Sequence, residues 1–192
     1  NMYDKIKAGV SARVAEILDK DAEAFEFFKK DGSLNKNAFV TRLIVNYNAA
    51  FRAREARIFD VLKSGMEGKS GMGGEKLNSL CRELVLKLER RGYEGVKSDK
   101  TVSVKPTRES APVIDYIENY CLSGGSLSEY FRNMFTAYTS LPQDEREKII
   151  FLPQYNAITQ AIARGKQLFL VTSGSSDGRR MQVQPYSVVT SK

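Results

Sequence analysis

The chain is 192 residues long, 42% hydrophobic and 28% charged, with a net charge of +7; that balance packs a core and excludes wholesale disorder. It contains no histidine, which removes the commonest general base, the commonest zinc ligand and every Ser-His or Cys-His nucleophile pair. Its two cysteines, Cys81 and Cys121, are too few for a Cys-rich metal site, so the expectation is a protein that is not an enzyme and carries no metal and no cofactor.

The first element is Lys5 to Val10, where Ile6, Ala8 and Val10 alternate with Lys5, Lys7 and Gly9, the period of a half-buried strand. Ser11 is placed to cap a helix from Arg13 to Phe28, lined by Val14, Ile17, Leu18, Ala22, Phe25 and Phe28. Asp31-Gly32 breaks it, and a second helix starts at Ser33 with the stripe Val40, Leu43, Ile44, Tyr47 and Phe51. Residues 52–64 continue as helix. A glycine-rich turn follows, and then an amphipathic helix on Leu77, Leu80, Cys81, Leu84 and Leu88, closed at Gly92.

The pattern then returns. Thr101 to Lys105 alternates as a strand with Val102 and Val104 inward; Ser110 and Pro112 suit a helix start, and Val113, Ile114, Ile117, Tyr120 and Cys121 line its face. Gly124-Gly125 ends it, and Ser126 opens a helix on Leu127, Tyr130, Phe131, Met134, Phe135 and Tyr138. Strand, helix, turn and helix thus occur twice in the same order, which reads as an internal duplication. Both cysteines fall on apolar helical stripes and are expected as buried, reduced thiols.

The last quarter holds a charged helix from Gln143 to Phe151 ended near Pro153, and a helix from Tyr155 to Arg164 stopped by Gly165. A strand over Lys166 to Thr172, a turn at 173–178, a return strand over Arg179 to Gln184 and a further strand opening at Pro185 complete it. Most tyrosines and phenylalanines lie on helical stripes, as core. Gly68-Lys69-Ser70 follows a helix rather than a strand, so it is rejected as a phosphate-binding loop.

Charge is unevenly spread: residues 1–51 carry +1, 52–108 carry +6, 109–150 carry −4 and 151–192 carry +4. A fixed basic surface attracts phosphate backbones. No apolar run reaches the roughly 20 residues needed to span a bilayer, and the start Asn1-Met2-Tyr3-Asp4-Lys5 lacks the layout of a signal peptide. A cytoplasmic location with no membrane partner is expected.

A strand with two helices cannot bury its own apolar face, and its lone strand needs a partner. Residues 4–51 and 100–141 resemble ribbon-helix-helix units, in element order, lengths and hydrophobic pattern. The resemblance implies an intramolecular pseudo-dimer in which two strands zip into an antiparallel ribbon, with 52–98 as a helical connector. In that family the ribbon enters the major groove. Carried over by position, the outward residues Lys5, Lys7 and Gly9 and then Thr101, Ser103 and Lys105 would face bases. Ser33 and Asn35, and likewise Ser126 and Ser128, would offer helix N-termini to phosphate.

Ala157-Ile158, Ala161-Ile162, Lys166 to Leu170 and Gly178 to Val189, with Pro185-Tyr186, resemble the opening of a WYL domain. The resemblance implies the start of an Sm-like β-barrel after linker helices, over 143–192, and a chain that continues beyond Lys192. Arg179, Arg180, Gln182 and Gln184 form its polar face and are further nucleic-acid candidates. The Trp-Tyr-Leu tripeptide that gives the family its name is absent. The whole is expected to be an α+β, mostly helical fold: a tandem ribbon-helix-helix pseudo-dimer followed by the start of a WYL barrel. The combination is similar to the accessory proteins of type VI-D CRISPR systems. It implies a nucleic-acid-binding regulator acting on DNA or single-stranded RNA, with a CRISPR effector as a possible protein partner and a homodimer through a further C-terminal region. The alternatives are an RNA-binding accessory that stimulates a type VI CRISPR RNase, and a protein–protein adaptor.

Overall fold

The computed structural model describes residues 4–90, 97–122, 124–171 and 180–189. Over these residues the chain is mostly helical with two small antiparallel sheets. Strand β1 (Ile6–Val10) is followed by α1 (Ala12–Ala24), α2 (Lys36–Met66) and α3 (Gly74–Arg90). Strand β2 (Lys100–Val104) is followed by α4 (Ala111–Tyr120), α5 (Leu127–Thr139), α6 (Gln143–Ile150) and α7 (Leu152–Arg164), then by the hairpin β3 (Leu168–Val171) and β4 (Arg180–Val183).

The strands expected near Ile6 and Val102 pair with each other. β1 and β2 run antiparallel with Ile6 opposite Val104, Ala8 opposite Val102 and Val10 opposite Lys100. Alternation puts Ala8, Val10 and Val104 fully inside, where they meet α1, α2, α4 and α5 in one continuous core. Phe39, Leu43, Ile44, Ile114, Ile117, Phe131, Phe135 and Tyr138 fill it at 0–1% exposure. Burial of such side chains contributes roughly 1.5–3 kcal/mol each, so the ribbon sits on the part of the molecule that resists opening most.

Ser11 caps α1 as expected, accepting the Val14 amide at 3.2 Å. The helix stops at Ala24, four residues before the expected Phe28. Glu26 takes a left-handed φ of 62°, and Phe28 bridges to Leu34 in a small hairpin. Phe25 and Phe27 still pack, edge-on against Phe151 and Phe39. Phe28, expected on the inward stripe, is 46% exposed beyond the helix end, and Phe25 and Phe27 take the inward places. Helix α2 begins at Lys36 rather than Ser33: Asn35 accepts the Ala38 amide, while Ser33 is held by Asp31 through both its amide and its hydroxyl.

Helix α2 has 31 residues, roughly 46 Å at 1.5 Å per residue. Its first half is core; its second half projects from it and packs with α3, whose Leu77, Cys81 and Val85 are buried. Leu88, expected on that stripe, is half exposed, and the expected stop at Gly92 lies outside the described residues. Both thiols are free and buried.

Helix α6 falls in the stretch expected to be linker helices. Instead it contributes Ile149 and Ile150 to the main core, and Asn46 of α2 donates to the Ile150 carbonyl at 2.9 Å. Pro153, expected to end a helix, lies in the first turn of α7, where its missing N–H costs nothing. Gly165 closes α7 in the left-handed region at φ 60°. β3 and β4 pair from Leu168 opposite Val183 to Val171 opposite Arg180. The described residues hold two two-stranded sheets and no closed barrel; the return strand ends at Val183 rather than Gln184, and residues 185–189, where a further strand was expected to open, have none. The expected turn at 173–178 lies outside the described residues. Among the described residues, no helix is long and apolar enough to cross a membrane.

Candidate nucleic-acid interface

The β1–β2 ribbon brings the residues picked from both strands onto one face. Lys7 lies opposite Ser103 and Gly9 opposite Thr101, on the side away from Ala8, Val10 and Val104. Lys5 and Lys105 extend the two strands at the same end of the ribbon. Lys5, Lys7, Thr101 and Lys105 are exposed, and Ser103 is half-buried. With the opposite face of the ribbon in the core, these lysines are confined to its solvent side.

Gly9 does not share this openness. A Cβ at Gly9 would lie 2.0 Å from the Ser98 hydroxyl and 3.2 Å from Ser98 Cβ. The glycine lets the chain entering β2 lie against β1, and Ser98 covers the position from which a base edge was expected to be read.

Each strand's outer edge is held by the second helix of the other unit. The Val10 carbonyl turns toward β2 and accepts the Asp99 amide, so alternation turns the Gly9 carbonyl to the outer edge, where Arg132 Nε of α5 donates to it at 2.9 Å. On β2, Asn37 of α2 accepts the Lys105 amide at 3.0 Å and donates to its carbonyl at 3.2 Å. Asn37 thereby supplies both hydrogen bonds that a third strand would. These crossed clamps fix the ribbon relative to the helices. Nothing in the local sequence pattern around Asn37 or Arg132 signals them, because each reaches a strand 68 or 123 residues away.

Beside β2 lies an open groove of about 1330 Å³, rimmed by Lys5, Lys36, Lys100 and Lys105 and floored by Leu34 and Phe39. Glu16, Asp19 and Glu23 also border it. Lys20 pairs with Glu16 and Lys36 with Asp19, both at 2.8 Å. Lys5, Lys100 and Lys105 carry no ion pair among the described residues; set against Asp4 and Glu23, which border the groove as well, they leave it a net single positive charge. Lys100 was missed because the strand was read from Thr101. Exposed lysines of this kind act on phosphates as point charges.

The helix N-termini are less open than expected. The Asn35 side chain takes the Ala38 amide, Ser126 takes the Glu129 amide at 3.2 Å, and Ser33 lies outside α2. Ser128 is half-buried in the first turn of α5. In the hairpin, Arg180, Gln182 and Gln184 are exposed. Arg180 and Gln182 share their face with Val171 and Phe169, their cross-strand partners, so the face is mixed rather than polar. Gln182 donates to the Gln167 side chain, and Arg179 lies outside the described residues. The hairpin candidates and the ribbon candidates therefore belong to separate sheets.

No family profile and no curated protein matches the chain. Among solved structures, the chain is similar to one titled "Crystal structure of a CRISPR Cas-related protein", with a TM-score of 0.64 and 18% identity. The match covers 97% of this chain and 53% of that one, so the chain spans about half the length of its structural neighbour. At that identity the likeness is one of fold, and the fold of this chain is shared by a CRISPR Cas-related protein.

Proposed function

We propose that the protein is a non-enzymatic regulator that binds nucleic acid through the β1–β2 ribbon, as a tandem ribbon-helix-helix pseudo-dimer, and that residues from about 143 onward lead into a WYL-type domain. The observation that carries the reading is the antiparallel pairing of two strands some 95 residues apart, with Lys5, Lys7 and Lys105 on the outer face and a helical core beneath. A two-stranded ribbon of this width fits the major groove of duplex DNA. Its lysines would draw the ribbon to phosphate, and Thr101 and Ser103 supply hydroxyls to base edges or sugars.

The CRISPR Cas-related neighbour favours a second reading on the same surface. In it the protein is an RNA-binding accessory that acts on a type VI CRISPR RNase effector. The experiment that separates these from a protein–protein adaptor is binding to labelled duplex DNA and to single-stranded RNA across a salt series. Log affinity should fall linearly with log salt, at a slope near 0.9 per phosphate contacted for the duplex and about 0.7 for the single strand. An adaptor shows no salt-dependent binding to either polymer.

A further inference from the structure

We propose that the cleft between α2, α3 and α4 binds one nucleotide unit, with its base stacked on Tyr120 and its phosphate held by Arg82 and Arg52. The cleft encloses about 460 Å³, within the range of small-ligand sites. It is distant in kind from the ribbon: an apolar floor of Phe59 and Val85, an aromatic wall of Tyr116 and Tyr120, and two guanidinium groups at the rim.

Tyr120 is 73% exposed, although α4 buries Ile114 and Ile117 completely. Its ring stands 5.2 Å from that of Tyr116, tilted by 39°, so the two present a stepped aromatic surface. Arg52 lies over the Tyr116 ring at 4.2 Å from its centre, which holds the guanidinium beside the aromatic wall before any ligand arrives. Arg82 comes from α3 and carries no ion pair among the described residues. Glu55 also lines the cleft. Two guanidinium groups against one carboxylate leave a net single positive charge, which suits one phosphodiester or monophosphate better than a polyphosphate.

The pairing of an aromatic face with arginine is what a base and its phosphate require: every base has a stackable face, and the guanidinium supplies donors to phosphate oxygens. A base inside a duplex has both faces covered, so the source is either a free mononucleotide or a nucleotide of a single strand. This site does not rest on the ribbon reading, since no residue is shared between the two.

The test uses the full chain with adenosine and uridine monophosphates as one arm and oligoadenylate and oligouridylate RNA of about 12 nucleotides as the other, in Tyr120→Ala, Tyr120→Phe and Arg82→Ala variants. Tyr120 and Arg82 are exposed, so none of these threatens the core. Tyr120→Ala should weaken binding about tenfold, and Tyr120→Phe should restore it to within about twofold. Arg82→Ala should lower the salt slope toward RNA by about 0.7. Saturable loss in the monophosphate arm identifies a free nucleotide as ligand; loss confined to the RNA arm identifies a strand. Lys5→Ala with Lys7→Ala should leave the Tyr120 effect intact, so failure of the ribbon and failure of the cleft are scored separately. Wild-type affinity of Tyr120→Ala and Arg82→Ala for both probes overturns the proposal.

Discussion

Arg146 grips Asp21 across 125 residues of chain, with Nε donating to Oδ2 at 2.7 Å and the terminal Nη2 donating to Oδ1 at 3.0 Å. Asp21 is 2% exposed, and the Tyr138 hydroxyl donates to the same Oδ2 at 2.6 Å. Arg146 also donates to the Leu141 carbonyl. The group ties α1, α5 and α6 together, which is why α6 belongs to the core rather than to a linker. Burial first, and then the hydrogen bond to Asp21, push the Tyr138 phenol far above its ordinary range, while the same carboxylate raises Arg146.

Removing one charged partner of the Asp21–Arg146 pair leaves the other charge uncompensated. Asp21→Ala should therefore destabilise the fold by about 3–5 kcal/mol, read as a fall in the urea midpoint at unchanged slope. Tyr138→Phe, which deletes only one donor, should cost about 1–3 kcal/mol. Asp21→Ala with the midpoint of the wild type would show that the network does not hold α6 in place.

Much of the ribbon was legible in the sequence, because strand alternation is local: Ile6, Ala8 and Val10, then Val102 and Val104, announce their faces within five residues. The pairing of the two could be argued only from the need of each lone strand for a partner. Boundaries went astray where two features compete for one role. Ser33 is a good cap residue, but Asp31 binds it and Asn35 caps instead; past the end of α1 it is Phe27 that turns inward and Phe28 that is exposed. The clamps made by Asn37 and Arg132 and the Asp21–Arg146 pair were not legible, since each joins residues 68 to 125 apart. Lys100 precedes the residue at which strand alternation begins, and Tyr120 shares the spacing of a core stripe, so neither stands out in the sequence as a site residue.

Cys121 supplies a pH-dependent prediction. Burial, with a smaller push from the Glu55 carboxylate, raises its thiol from an ordinary 9.0 to about 11. A group whose folded pKa is raised binds its proton more tightly in the folded state. Its contribution to stability is thus complete below pH 9 and is lost as pH rises through about 11. Cys121→Ala should flatten that alkaline loss. In the wild type, the native Cys121 thiol should react with a maleimide at pH 8 at least tenfold more slowly than after unfolding. Equal rates in the two states would contradict the assignment.

The strand register predicts a cross-link. Lys7 and Ser103 form a facing pair on the outer side that alternation makes non-hydrogen-bonded, with Cα atoms about 4.5 Å apart, within disulfide reach. In a background with Cys81→Ala and Cys121→Ala, Lys7→Cys with Ser103→Cys should oxidise readily to an intramolecular bond. Moving one partner to Thr101 should slow it severalfold. A bond formed only between molecules would mean that the two strands pair in trans.

Gly9 should tolerate no branched side chain. Gly9→Val places its carbons on Ser98 and should cost about 1–3 kcal/mol by overpacking, measured by thermal or urea unfolding. Gly9→Val combined with Ser98→Gly should recover most of that loss; no recovery would mean that Ser98 is not what confines the position.

The ribbon itself is tested most directly by the affinity of Lys5→Ala with Lys7→Ala for duplex DNA and single-stranded RNA, measured beside the wild type across a salt series. Both side chains point away from the core, so the fold should be unaffected. A loss of at least about tenfold, or 1.4 kcal/mol, with a shallower salt slope, is the expected result. Wild-type affinity and slope in the double variant would take nucleic acid off the ribbon face.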